Sequence, residues 1–360
     1  MIGTFIGVGL ILLMVIIILI IRIYRLVSAV RGTSDQKIDS SSNKANGMMM
    51  LLFLIFSFAA IFWYSIKNFD VYNLPVASEH GVQTDQLFWI TMGVTGVIFL
   101  LTNFLLFYFS YKYQHRKGAK ALFYPDNTKL EILWTIVPAI VLSLLVFAGL
   151  KTWNDVMATA PEEAEVVEIL GYQFAWTVRY PGRDDQLGDH DFRLIDAVNT
   201  FGMDFSDRSA FDDFIPREIH LPKGKPVLFK IRARDVLHSV FAPHFRLKMD
   251  AVPGMPTKFW FTPTKSTEEM REELNDPEFN YEIACTEVCG RGHFSMKIMV
   301  VVEEPEAYEQ WYAQQESWLS RHPEYLANVP ADLKELALTV TGLEDQSSSR
   351  SEEYDINATF

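Results

Sequence analysis

Both cysteines of this 360-residue chain lie in one short loop, together with a histidine and a methionine. The loop runs from Cys285 to Met296 and also holds Cys289 and His293, so a sulfur or imidazole group recurs every three or four residues. Thiolate, thioether and imidazole groups are ligands that copper favours. A second imidazole, His238, lies upstream between two strand-like runs. These residue types predict a metal site whose ligands come from two segments.

Three kinds of site compete for the loop. A disulfide is the commonest use of two cysteines in an extracytoplasmic domain, but it requires neither His293 nor Met296. Zinc bound by two cysteines and two histidines fits by number, yet it leaves Met296 unused and would serve structure alone. Copper uses every group, because two thiolates can bridge a pair of ions that each take one imidazole, from His238 or His293. The Met296 sulfur and the carbonyl oxygen of Glu287 then serve as weak axial ligands.

The two halves of the chain differ in composition. Up to Leu150 there are 11 basic and 7 acidic residues, whereas the remainder holds 21 basic and 38 acidic residues, a net charge of -17. Four uncharged apolar stretches lie in the first half, each long enough, at about 20 residues, to cross roughly 30 Å of hydrocarbon as a helix. Neighbouring helices can satisfy the carbonyl freed by Pro138 in the fourth stretch. The predicted spans are Ile2 to Ile21, Met48 to Ile66, Leu87 to Tyr111 and Ile132 to Leu150.

The charges between the spans predict how the chain crosses the membrane. The polar link from Arg22 to Gly47 and the link after Tyr111 carry five basic residues each, which places both links on the cytoplasmic side. The link between them has only Lys67 against three acids, so it faces out, as does everything after Lys151. A cleaved signal peptide is the alternative for the first span, but the basic residues follow the apolar run and no small-residue cleavage site is evident. We therefore predict a first helix with its N-terminus outside.

From Glu165 the pattern changes to short runs rich in β-branched and aromatic residues, bounded by proline and glycine. Several antiparallel strands within roughly 140 residues indicate a β-sandwich or barrel. The fold class is therefore a membrane α-helical anchor with four transmembrane helices, followed by an all-β domain. The predicted strands are Val166 to Tyr180, Arg217 to Leu221, Val227 to Ala233, Lys258 to Thr262, Tyr281 to Ala284 and Lys297 to Val302.

Three regions of the second half fall outside the predicted strands. Residues Pro181 to Pro216 are acidic, but they lack the spacing of a calcium-binding EF-hand, so we expect a solvated insertion. Residues Pro305 to Leu336 alternate apolar and polar positions at helical spacing, which predicts helix. The serine-rich end after Asp345 is expected to be disordered.

The metal-ligand loop and several other segments resemble one known family. The spacing Cys-x-Glu-x-Cys-x-x-x-His-x-x-Met, with a second histidine in Asp-Val-Leu-His-Ser, is similar to the signature of subunit II of haem-copper cytochrome c oxidases. The similarity covers about residues 87 to 310 and includes Glu131 to Ala139, Gly171 to Trp176 and Lys248 to Gly254. It implies a cupredoxin-like Greek-key barrel anchored by a helical hairpin. It also implies a dinuclear copper A centre bound by His238, Cys285, Cys289, His293, Met296 and the backbone carbonyl of Glu287.

The resemblance also implies a function. Such a subunit accepts single electrons from a cytochrome c, or from a tethered c-haem donor, and passes them to haem in subunit I, where oxygen is reduced to water with coupled proton pumping. The expected location is the bacterial inner membrane, with the copper domain on the periplasmic or outer side. The copper A subunit of a nitric oxide reductase is the alternative, because the catalytic subunit decides the substrate. A quinol oxidase subunit II lacks the copper ligands, and a nitrous oxide reductase carries a large propeller for which this chain has no room.

Further residue roles and partners follow from the resemblance. The Glu287 carboxylate is expected to bind a magnesium or manganese ion shared with subunit I. Glu131, at the cytoplasmic start of a helix, is expected either to interact with the helix dipole or to form the entrance of a proton path. The acidic surface should attract a basic donor, and Asp235 is one candidate contact. Expected partners are oxidase subunits I and III, the electron donor, with a supercomplex as one arrangement, and membrane lipids, with no nucleic acid.

The sequence departs from the family at three points. Phe174 stands where many relatives have the tryptophan at which electrons enter, although Trp176 is close by, and this substitution predicts a donor held in a fixed assembly. The first two helices and the acidic insertion are additions that could dock other subunits. No Cys-x-x-Cys-His motif occurs, so we expect no haem to be bound by this chain. The predicted domains are an extra helical hairpin at 1–86, the family-type hairpin at 87–151, the copper domain at 152–304 with its insertion at about 181–216, and a C-terminal helix and tail at 305–360.

Overall fold

A computed structural model describes residues 2–30, 40–116 and 118–343 of the chain. Its first half contains four long helices, and each has a stretch that is long and apolar enough to cross a membrane. Nearly all described apolar side chains of these helices are exposed, as expected where lipid surrounds a helix. The prediction of four transmembrane helices is confirmed. The helices are α1 (Ile2–Val30), α2 (Ser40–Lys67), the short α3 (Phe69–Tyr72), α4 (Glu79–Lys112) and α5 (Thr128–Val156).

The four long helices extend beyond their predicted apolar runs, because polar residues at the ends continue the helical hydrogen bonding. α5 passes through Pro138 without a break. Several residues used in the sequence predictions lie outside the described residues: Arg31, Lys37 and Lys117 of the topology prediction, and the serine-rich end after Asp345.

The second half folds into two β-sheets. Their strand orders are β2-β1-β4-β7 and β3-β9-β8-β5-β6, which confirms a β-rich domain of the cupredoxin-like class. The strands in the described part of the chain are β1 (Glu165–Tyr172), β2 (Ala175–Arg179), β3 (Ile219–Pro222), β4 (Val227–Ala233), β5 (His238–Ala242), β6 (Leu247–Ala251), β7 (Thr257–Phe261), β8 (Tyr281–Cys285) and β9 (Lys297–Glu303).

The strands differ from the predicted ones in three respects. Several strand pairs are antiparallel, as expected, but β1 and β4, and also β3 and β9, pair in parallel. The periodicity of a single strand carries no information on the direction of its neighbour. The predicted run from Val166 to Tyr180 divides into β1 and β2 at Gln173 and Phe174. β5 and β6 were not predicted; β6 carries Lys248 at an exposed position, which interrupts its apolar pattern.

Alternating residues of both sheets form the main core. Along β4, Val227, Phe229 and Ile231 are fully buried while Lys230 is exposed, and β9 shows the same alternation from Ile298 to Val302. Burying one such side chain stabilises the fold by about 1.5–3 kcal/mol. The two sheets therefore hold each other rigidly, and the loops between their strands start from fixed positions.

The acidic insertion at 181–216 is not a solvated loop. Phe201, Phe205 and Phe211 are buried in a second core, where Phe205 stacks on Trp318 with ring centroids 5.7 Å apart. Several of the aspartates accept hydrogen bonds from backbone amides in tight turns; Asp196, for example, accepts from two amides at 2.7 Å. The prediction was based on the charge of the segment alone. It did not foresee that these aspartates stabilise the turns of the chain.

The C-terminal region that closes this second core is broken into short pieces. Helix was predicted from Pro305 to Leu336, but turns interrupt it, and a further helix, α6, was not predicted. α6 (Thr267–Leu274) lies between β7 and β8, and the helices of the C-terminal region are α7 (Pro305–Ala313), α8 (Trp318–Arg321), a 3₁₀-helix at Pro323–Asn328 and α9 (Lys334–Thr341).

The barrel is tied to the start of α4 and the end of α5, which belong to the same compact unit. Arg246 pairs with Asp85 through two hydrogen bonds, of 2.7 and 2.9 Å. The indole of Trp260 donates to the carbonyl of Ala158, just after α5, at 2.9 Å. These contacts fix the barrel to the ends of two predicted membrane helices.

Candidate metal centre

Two neighbouring strands bring the candidate ligands together. In the pairing of β5 with β8, Val240 is opposite Cys285. His238 lies two residues before Val240, so its side chain leaves the same face of the sheet. The chain then turns through the loop after β8, and a short 3₁₀-helix at His293–Ser295 returns it to β9. His238 and the loop therefore converge at one end of the five-stranded sheet.

The two cysteines and the two histidines are close together. The Cys285 and Cys289 sulfurs are 4.0 Å apart, and neither cysteine is in a disulfide. Nδ1 of His238 lies 3.9 Å from the Cys285 sulfur, and Nδ1 of His293 lies 3.7 Å from the Cys289 sulfur. Each imidazole thus faces a different thiol, with the two thiols between them.

Met296 and the Glu287 carbonyl complete the group. The Met296 sulfur is 3.8 Å from the Cys289 sulfur, and the carbonyl oxygen of Glu287 is 3.2 Å from the Cys285 sulfur. The structure therefore brings together all six candidate ligands from the sequence. It places the methionine beside one cysteine and the carbonyl beside the other.

These residues fit copper better than the two alternatives. A disulfide needs sulfurs about 2 Å apart, far closer than the two thiols. A zinc site would leave the buried Met296 sulfur without a function. Burial, followed by the nearby Cys285, raises the pKa of the Cys289 thiol to about 11, so a bound metal would have to displace its proton. A buried set of two thiols, two imidazoles and a thioether is the donor chemistry of a copper site.

Asp235 orients His238 from behind. Its Oδ1 lies 2.9 Å from Nε2 of His238, which leaves Nδ1 of the ring towards Cys285. The same carboxylate accepts the backbone N–H of Gln173 at 2.8 Å. Burial alone would raise the pKa of Asp235, but the hydrogen bonds from Gln173, His238 and Val236 outweigh it and lower the pKa. The sequence suggested Asp235 as a contact for a donor; here most of its acceptor capacity is used inside the site.

Gln173 and Phe174 cover the loop from the outside. Nε2 of Gln173 donates to the carbonyl of Cys289 at 2.5 Å. Phe174 packs on two glycines of the loop, so that a Cβ added at Gly292 would lie 2.5 Å from its ring, and one at Gly290 would lie 2.8 Å from it. The Phe174 side chain remains 38 % exposed. No role for Gln173 was predicted from the sequence, although the two glycines that flank Arg291 are typical of a place where another group approaches the backbone closely.

Trp176 lies deeper than Phe174. It is only 6 % exposed, and its ring meets the His238 ring edge to face, with centroids 5.8 Å apart. Its buried indole N–H has no hydrogen-bond partner among the described residues. Of the two aromatic candidates for electron input, Phe174 is exposed at the surface, whereas Trp176 is buried and packs against the candidate ligand His238.

Comparison with known proteins identifies the family. The profile for cytochrome C oxidase subunit II, periplasmic domain, matches residues 165–303, and the profile for the transmembrane domain of the same subunit matches residues 72–152. An alternative cytochrome c oxidase subunit 2 from Bradyrhizobium diazoefficiens is 34 % identical over 246 residues, which are 68 % of this chain and 84 % of the relative. The chain belongs to the cytochrome c oxidase subunit II family.

Other similar proteins carry the same family name. The cytochrome c oxidase subunit 2 of Thermostichus vulcanus is 28 % identical over 272 residues, covering 67 % of this chain and 77 % of that protein. The solved periplasmic domain of subunit II from Bradyrhizobium japonicum is 21 % identical, covers 43 % of this chain and 95 % of that structure, and has a TM-score of 0.29.

The matched regions show which elements of this subunit II the family profiles cover. The barrel with its copper ligands corresponds to the periplasmic domain of the family, so this is a membrane protein with a periplasmic copper domain. The transmembrane match covers α4 and most of α5, whereas α1 and α2 precede it. Glu131, in the first turn of α5, accepts the backbone N–H of Asn127 at 3.2 Å, as a helix-capping acid does. Its part in a proton path stays a prediction.

Proposed function

We propose that this chain is the subunit through which electrons enter a respiratory terminal oxidase. It takes single electrons from a c-type cytochrome, free or tethered, and passes them to haem in subunit I, where oxygen is reduced to water with proton pumping. The observation that carries the proposal is the convergence of His238, Cys285, Cys289, His293, Met296 and the Glu287 carbonyl in one site, with neighbouring donor atoms 3.2–4.0 Å apart.

The residues of the chain hold this site stiff. When bound, a pair of copper ions would share one electron across the two thiolates, so that little rearrangement accompanies electron transfer. Asp235 fixes the ring of His238, and Gln173 fixes the backbone of Cys289. Burial of Met296 keeps water away from the weak ligand side. A stiff site suits repeated one-electron transfer, because it changes little between the two oxidation states. The weak ligands and the hydrogen bonds to the site set the reduction potential of the bound copper.

The surface residue Phe174 is proposed as the contact for the donor. It is exposed, it touches the glycines of the ligand loop, and its neighbour Gln173 bonds to the Cys289 carbonyl. The path from the donor to the copper centre is therefore short and runs through two adjacent residues. Phenylalanine at this position supports a donor held in a fixed assembly, such as a supercomplex, over one that must find the site by diffusion.

Several finer roles belong to the same proposal. The half-buried carboxylate of Glu287 would bind magnesium or manganese shared with subunit I. Glu131 would form the entrance of a proton path, and α1 and α2 would dock further subunits, with subunit III among the partners. The bacterial inner membrane is the proposed location, because the oxidase must face both a periplasmic donor and a cytoplasmic proton supply.

Electron paramagnetic resonance of the purified oxidase, together with metal analysis, tests the proposal. A mixed-valence dicopper centre gives a hyperfine pattern from one electron shared by two copper nuclei. The Cys285→Ser variant should lose this signal, because one of the two thiolates that would hold the copper pair is gone. Zinc alone in the site, or copper bound without the shared-electron signal, would overturn the proposal. A chain that gives the signal but assembles only with a nitric oxide reductase would overturn the oxidase assignment.

A further inference from the structure

An unusual pair of lysines lies on the exposed side of the four-stranded sheet, outside the copper site. Lys230 on β4 and Lys258 on β7 are direct partners in the antiparallel register, so their side chains leave the same face next to each other. Like charges in this position destabilise a strand pair. In the ranges that the structure describes, neither lysine forms an ion pair.

The neighbouring acids do not neutralise the two lysines. Glu168 is opposite Lys230 on β1, but its carboxylate already pairs with Arg179 at 2.7 Å and with Arg232 at 2.6 Å. Asp213, which also pairs with Arg179, is deeply buried, and burial raises its pKa to about 8. The two lysines and their charged neighbours therefore carry an excess of positive charge, although this half of the chain is acidic with a net charge of -17.

The two lysines line a cavity of about 440 Å³. Arg232, its ion-pair partner Glu168 and His190 lie in its wall, and Met249 and Pro256 add apolar surface. Burial, and then the charge of Arg232, lowers the pKa of His190, as expected beside a cation cluster. A cavity with cations on one side and apolar side chains on the other suits an amphiphilic anion.

The cavity lies close to the outer edge of the headgroup layer. Its wall includes Met157, the residue that follows the end of α5. Met157 is seven residues after Leu150, where the apolar run ends, which corresponds to about 10 Å of helix. The headgroup layer on each side of a bilayer is roughly 5–8 Å thick. The bond from Trp260 to Ala158 holds the sheet at this position.

We propose that this cavity binds the phosphate of an anionic membrane phospholipid. Lys230 and Lys258 bind the phosphate oxygens, and Met157, Met249 and Pro256 contact the carbons of the adjoining headgroup and glycerol. Inorganic phosphate has the same anionic chemistry, but it would gain nothing from the apolar wall. A lipid bound here would neutralise the lysine pair and tie the copper domain to the membrane surface.

The test uses the full chain in detergent and native mass spectrometry. The chain is titrated with phosphatidylglycerol or with phosphatidylcholine of the same acyl chains, and separately with inorganic phosphate. The test variant is Lys230→Gln with Lys258→Gln. The control is Lys265→Gln with Lys334→Gln, which removes the same charge at positions that do not line the cavity. Lys258→Gln alone, on the edge strand β7, is used if the double variant does not fold.

The wild-type chain and the control should bind phosphatidylglycerol equally and in preference to phosphatidylcholine. Affinity should fall roughly 25-fold in the test variant, since each lysine near a membrane surface contributes about a fivefold gain. A Lys230→Arg, Lys258→Arg variant should retain binding because it keeps both charges. Equal binding by the test variant, or no preference for the anionic lipid, would overturn the proposal. Displacement of the lipid by millimolar inorganic phosphate would overturn the lipid as the source.

Discussion

Asp235 holds one ring nitrogen of His238 at 2.9 Å, so that the other nitrogen is left towards Cys285. The same carboxylate accepts a hydrogen bond from the backbone N–H of Gln173, the residue before Phe174. One acid thus connects a copper ligand to the surface position where we expect electrons to enter. Loss of the Asp235 carboxylate should therefore change both the retention of copper and the rate of electron uptake.

Replacing Asp235 with asparagine should weaken copper binding. The amide cannot keep all the acceptor bonds of the carboxylate and does not make the His238 ring more basic. Loss of such a partner costs roughly 10- to 100-fold in metal affinity. Copper competition by a chelator, measured on the purified oxidase, checks the value. The exposed Asp276→Asn is the control, and equal copper retention in the two variants would contradict the role of Asp235.

The Gly292→Ala variant should slow electron uptake while copper stays bound. The new Cβ would lie 2.5 Å from the Phe174 ring, so the ring must move from the loop. A displacement of this kind can lower a rate by up to about 100-fold. Rapid-mixing reduction of the copper centre by a reduced c-type cytochrome measures the rate. Gly93→Ala, where a Cβ meets nothing within 4 Å, is the matched control. An unchanged rate in Gly292→Ala would exclude Phe174 as the contact.

The metal site was more predictable from sequence than its support. Five of the six candidate ligands follow one another in the loop from Cys285 to Met296, so their spacing alone brings them together. His238 was found through its short motif. Gln173 was missed because its bond to Cys289 depends on the turn between β1 and β2, which no local pattern specifies. The folded insertion was missed for the same reason: the partners of Phe205, such as Trp318, are more than a hundred residues away.

The second core should contribute substantially to stability without affecting the copper site. Truncation of Phe205, which is buried against Trp318, should cost about 3–5 kcal/mol of unfolding free energy. Thermal denaturation followed by tryptophan fluorescence measures the loss. Phe192→Ala is the control, because that ring lies in the same insertion and is 73 % exposed. Similar midpoints for the two variants would show that the insertion adds nothing to the stability of the domain.

The buried Asp213 should make stability fall as the pH rises. Burial raises its pKa from 3.8 to about 8 despite the pairing with Arg179, so the folded state binds a proton that the unfolded state has released. The stabilisation is complete below pH 3.8 and is lost as the pH approaches about 8. Glu168 acts in the opposite direction and at acidic pH, because Arg179 and Arg232 outweigh its burial and lower its pKa. The measurement compares the unfolding midpoints of the wild type and Asp213→Asn from pH 5 to pH 9. The wild-type midpoint should fall relative to that of the variant as the pH rises, because only the wild type loses the stabilisation from protonated Asp213. Parallel pH profiles would show that Asp213 is ionised throughout this range in the folded protein.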